Sequence, residues 1–179
     1  MSIPVAVLPT NDAEMRRLFE SADQSREPAA DMADLAEVMR ALLGVASSED
    51  TPVRLGGNLF DVVITSAGIR GRAVIALMDE IPGGCGPVVE DPEAGWLYWL
   101  VPPGSAIHWA PHGHAVCLTT PFKIRLPSLT RHSPPGPYWA RPSASDRLVP
   151  VGPLRTALAQ LRPEPAPHAP LYAQLTGGT

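Results

Sequence analysis

The sequence predicts one α+β (α/β) domain: a mixed central sheet of about five strands flanked by helices, with an N-terminal helical pair. Three observations predict it. Apolar residues recur at helical spacing near both ends of the chain, while the middle shifts to short β-branched and aromatic runs. The 179 residues are 45% hydrophobic and 18% charged, enough for one core and too little for two. No apolar run approaches the roughly 20 residues that span a bilayer, so no membrane contact is expected.

The elements follow in order. Asn11 and Glu14 have the form of a capping box, with Met15, Leu18 and Phe19 behind them. Residues 21–28 are polar and break that helix. Met32, Leu35, Met39 and Leu42 make the stripe of a second helix over 31–43, and Gly44 suits its C-terminal cap. Residues 47–52 read as a linker. Leu59–Thr65 is a strand. Ser66–Gly71 is a small-residue loop, and Arg72–Glu80 a helix stopped by Pro82-Gly83-Gly84. Gly86–Glu90 and Trp96–Val101 form a hairpin around the turn Asp91-Pro92-Glu93-Ala94-Gly95, in which proline presets φ and glycine accepts positive φ. Both alternating sets of Trp96–Val101 are apolar, so that strand is expected to be central and covered on both faces. Ala115–Thr119, Lys123–Leu126 and Tyr138–Arg141 are further strands. Pro153–Leu161 is the closing helix, with Leu154, Ala157, Leu158 and Leu161 as its stripe. The expected organisation is an acidic helical arm (1–50), an α/β domain (51–162) and a proline-rich tail (163–179).

Charge is distributed unevenly. The net charge is −4, yet residues 1–50 carry ten acids and four bases, while 121–162 carry seven bases and the single acid Asp146. Such a basic region fits a polyanion or the acidic arm. Cys85 and Cys117 are too few for a disulfide scaffold and suit a reducing cytoplasm.

Four constellations are candidates for chemistry. Ser66, Gly68, Arg70 and Arg72 surround a helix start, where free N–H groups and cations attract anions; the competing reading is an ordinary connection with exposed arginines. His108, His112, His114 and Cys117 lie within ten residues and carry ligand atoms suited to zinc, against the reading of a polar loop running into a strand. Trp139, between Arg131 and Arg141, is a candidate stacking platform for a base, whereas Trp96 and Trp99 read as core. Asp61 inside an apolar strand is at an edge, hydrogen-bonded or functional, because an unpaired buried charge is costly. No Ser-His-Asp, Cys-His or paired-carboxylate arrangement is legible elsewhere.

Phe60-Asp61-Val62-Val63, Gly71-Arg72 with a helix, Gly86-Pro87-Val88-Val89, Leu126-Pro127, Pro135-Gly136-Pro137-Tyr138-Trp139 and Leu148-Val149-Pro150 before a leucine-rich helix follow one another in a suggestive order. Over about residues 55–162 the chain resembles actinobacterial proteins related to the bifunctional DNA primase/polymerase N-terminal domain. The resemblance implies divalent metal, nucleoside triphosphates and chain extension, through two acids on the first strand, a small-x-His motif and a further acid. Asp61 matches the first acid. Val63 and Ile64 stand where the second belongs, Ala110-Pro111-His112 imitates small-x-His, and no third acid lies between Lys123 and Arg141. The expectation is therefore a degenerate relative: a non-catalytic binding or regulatory module without cofactor. Its partner would be a single-stranded nucleic acid or nucleotide, or a protein held through residues 11–43. The alternatives are a metal-dependent nucleotidyltransferase using Asp61 and His112, and a structural homo-oligomer such as a homodimer.

Overall fold

A computed structural model of the chain describes residues 51–56, 59–142 and 147–165. The helical pair expected over 11–43 and the tail beyond residue 165 lie outside the described residues. Seven strands and three helices are found among the described residues. They are β1 (Thr51–Arg54), β2 (Asp61–Ser66), α1 (Gly68–Asp79), β3 (Val88–Asp91), β4 (Trp96–Val101), α2 (Ser105–His108), β5 (Ala115–Leu118), β6 (Lys123–Leu126), β7 (Tyr138–Arg141) and α3 (Val151–Leu161). No helix among them is long and apolar enough to cross a membrane.

The class is α+β, built on a five-stranded sheet in the order β5-β2-β4-β3-β7. Every pairing is antiparallel, where a mixed sheet was expected. The reason lies in one insertion. β2 and β3 run parallel to each other across α1, but the tight turn after β3 folds β4 back between them. Asp91 builds that turn: its Oδ1 accepts the N–H groups of Glu93 and Ala94, both at 3.1 Å, and Gly95 takes φ +74°. β4 is the middle strand and all six of its residues are buried.

Alternation along the strands divides the core in two. Val63, Val88, Leu97, Trp99 and Val101 face α1 and α3, which contribute Val74, Ile75 and Met78, and Leu154, Ala157 and Leu158. Val62, Ile64, Val89, Trp96, Tyr98, Leu100 and Trp139 face the other way. That face is covered by a separate two-stranded ribbon, β1 paired with β6, through Ile124 and Leu126 and with help from Leu55 and Phe60. The molecule thus has three layers: helices, sheet and ribbon. The ribbon corrects two expectations. Residues 51 and 52 belong to a strand rather than to a linker, and Lys123–Leu126 pairs with that strand instead of joining the main sheet. On the helix face, the indole N–H of Trp99 donates to Thr65 Oγ1 at 2.9 Å, which satisfies a fully buried polar group.

α1 starts four residues earlier than its propensity suggests. Gly68 opens it at φ +87°, and Gly71 lets it approach the sheet: a Cβ there would collide with the Ser66 carbonyl and come within 3.1 Å of Leu97. The expected Ser66–Gly71 loop is thereby reduced to Ala67, the N-cap. α3 likewise begins at Val151, capped by Pro150.

Candidate functional site

The arginines that the sequence marks for anion binding are engaged within the fold. Arg70 Nη1 donates to the Arg162 carbonyl at 3.0 Å, and Arg162 is the left-handed C-cap of α3. A cation at that helix end meets the unpaired carbonyls and the negative pole of the dipole. Arg72 Nη2 donates to Glu90 Oε1 at 2.8 Å, and Tyr138 Oη donates to Glu90 Oε2 at 2.8 Å. Glu90 is only 4% exposed, and these two bonds are what compensates its burial. The same carboxylate raises the pKa of Arg72, first through the hydrogen bond and then through its charge. Arg141 grips Asp79, the last residue of α1, with its Nε at 2.9 Å and its Nη2 at 2.6 Å. Arg70, Arg72 and Arg141 therefore staple α1 to α3, β3 and β7. Ser66 closes β2 opposite Trp96.

Trp139 is a correction. It was expected as an exposed platform, yet it is 2% exposed and its indole N–H donates to the Pro127 carbonyl at 3.2 Å. The reason is its parity. Trp139 pairs with Val89, so it points into the core beneath the ribbon, and the turn that carries Arg131 supplies the carbonyl that accepts its backbone N–H at 2.9 Å.

Asp61 opens β2 opposite Val101 and is fully buried. Its Oδ2 accepts the backbone N–H of Ala106 at 2.9 Å, so the carboxylate braces α2, a short helix the sequence did not reveal. Its Oδ1 has no hydrogen-bond partner. The four candidate metal ligands are brought only partly together. His112 and His114 stand with ring centroids 5.7 Å apart, and Cys117 lines a hollow of about 420 Å³ with Trp109, His112 and Val116. His108 is on the exposed end of α2. No group of three or more His, Cys, Asp or Glu side chains among the described residues is placed to hold a metal ion. His112 Nδ1 accepts the backbone N–H of His114 at 3.2 Å, which uses one imidazole lone pair and leaves the ring hydrogen on Nε2. Burial first, then the Asp61 charge, pushes the Cys117 thiol up to about 12. With no metal beside it, it is a protonated thiol at neutral pH and not a nucleophile.

The basic surface lies elsewhere, on the ribbon. β6 reads exposed, buried, exposed, buried over Lys123, Ile124, Arg125 and Leu126. Ile124 and Leu126 anchor it in the core, and the two cations face out. On β1, Arg54 stands in register opposite Lys123, and the exposed Pro52 opposite Arg125. Neither strand contains an acid. Sequence reasoning counted Lys123 and Arg125 as part of a basic region but did not single them out. The signal was the Lys-Ile-Arg-Leu alternation, whose period of two places both cations on one face. Neither a family model nor a curated protein nor a solved structure matches the chain.

Proposed function

We propose that the chain is a non-catalytic binding module on a degenerate primase/polymerase-like fold, and that it holds the phosphate backbone of a single-stranded nucleic acid on the outer face of the β1–β6 ribbon. The observation that carries this reading is the alternation of β6: Lys123 and Arg125 are exposed on one face while Ile124 and Leu126 are buried beneath them. An anionic strand laid across that face meets both cations, and release of its counterions drives the association. Asp61 supports the non-catalytic part. Its carboxylate braces α2 through Ala106, and its neighbours on β2 and β4 are Val63 and Val101. No cofactor is invoked. Two free thiols, at Cys85 and Cys117, fit a reducing cytoplasm.

Fluorescence anisotropy of a labelled oligothymidylate at low salt tests the reading. The Lys123→Ala/Arg125→Ala variant is expected to bind at least about tenfold more weakly, whereas Arg70→Ala, which touches only the α3 cap, leaves affinity unchanged. Equal binding by wild type and the double variant overturns the assignment to the ribbon. A stoichiometric heat with manganese and a nucleoside triphosphate that Asp61→Ala abolishes overturns the non-catalytic reading.

A further inference from the structure

Residues 109–113 form a strap along the edge of the main sheet. β5 is the edge strand, and the strap meets it through one isolated bridge, His112 with Ala115. Strap and strand are the two walls of the hollow: Trp109, Pro111, His112 and Gly113 on one side, Ala115, Val116 and Cys117 on the other. Two further contacts hold the strap. Arg155 of α3 donates from Nη1 to the Ala110 carbonyl at 2.9 Å and lies over the Trp109 ring, 4.6 Å from its centroid. The turn after the strap is closed by the His114 N–H donated to His112 Nδ1.

That last bond exists in one protonation state only. A neutral imidazole with its hydrogen on Nε2 offers the Nδ1 lone pair; an imidazolium offers none and points a second N–H at the His114 amide. We propose that the strap is a proton-operated latch on the edge of β5, closed while His112 is neutral and released when His112 takes up a proton.

The groups facing His112 all act in one direction or not at all. Arg155 from α3 is a permanent cation, and His114 from the turn adds a second imidazole. Cys117 from β5 is neutral, and Trp109 presents an uncharged ring tilted 46° at 6.3 Å. Asp61, the acid on this side of the sheet, has its bonded oxygen turned to Ala106. Burial, then Arg155, then His114 hold His112 below its ordinary value of 6.5. The sign follows from linkage. A group whose value is depressed in the closed form stabilises that form above its ordinary pKa, and the stabilisation is lost as pH falls through the depressed value. The latch therefore opens below pH 6.5, within the range in which histidine switches operate.

NMR on the full chain tests the latch, with EDTA present so that no metal competes for the imidazoles. Long-range proton–nitrogen spectra at pH 7.5 are expected to show the Nε2–H tautomer of His112, and a titration a midpoint below 6.5. Amide-exchange protection of His114, corrected for intrinsic exchange, is expected to be lost as pH falls through that midpoint. Arg155→Met is expected to move the midpoint upward. His112→Asn keeps an acceptor oxygen where Nδ1 stood and does not titrate, so protection of His114 becomes independent of pH. An Nδ1–H tautomer, a midpoint at or above 6.5, or an unchanged pH dependence in His112→Asn overturns the latch.

Discussion

Trp99, Glu90 and Trp139 bury polar atoms whose partners lie far away in the sequence. Trp99 is completely buried, and its indole N–H reaches Thr65 Oγ1 on the neighbouring strand. Thr65→Val keeps the shape and removes the acceptor, leaving a buried donor orphaned. Urea denaturation is expected to show a loss of about 1–3 kcal/mol, and the double variant Thr65→Val/Trp99→Phe should lose less in total than the two single changes added together. The same distance explains why the arginines misled. Their chemistry is visible in the sequence, but their partners are not: Arg72 and Glu90 are 18 residues apart, Arg141 and Asp79 62, and Arg70 and Arg162 92. Only the assembled sheet brings these groups together, and it turns apparent anion ligands into staples. Trp139 was misread for a related cause. Flanking arginines suggest a surface, whereas strand parity decides which side of the sheet an aromatic enters.

At the scale of elements, legibility followed local patterning. β6 and β7 lie where the sequence set them, and β4 is central as its unbroken apolar run required. Elements whose existence depends on a distant surface were missed. β1 contains Pro52 and follows a polar stretch, so only its pairing with β6 makes it a strand. α2 has four residues and one side-chain brace from Asp61. The start of α1 has poor helix propensity, since Gly68 and Gly71 are its first and fourth residues. Close packing overrides propensity there. Gly71→Ala adds helix propensity yet pushes a methyl group into the Ser66 carbonyl, so thermal unfolding should report a net destabilisation of about 1–3 kcal/mol. A neutral or stabilising result would mean that α1 can withdraw from the sheet without loss.

Taken whole, the molecule separates its labours by layer. The helix layer uses its arginines internally, the sheet holds the two cores, and the ribbon carries exposed cations that nothing in its own strands neutralises. The hollow and its strap sit at the opposite margin from β7, along β5. A sequence-level count of seven bases against one acid over 121–162 announces a basic region. It does not say which of those bases face solvent, because that depends on which layer each one joins. The phosphate-binding account makes a quantitative demand on this arrangement. The two exposed ribbon cations, Lys123 and Arg125, each contribute about 0.7 to the dependence of log affinity for a single-stranded nucleic acid on log salt, so the slope should be about −1.4. The direct measurement is the affinity of the full chain for oligothymidylate from low to physiological salt, for wild type and for Lys123→Ala/Arg125→Ala. The account predicts a slope of about −1.4 for wild type that flattens to less than half of that in the variant; a flat wild-type response, or the same slope in both proteins, would contradict it.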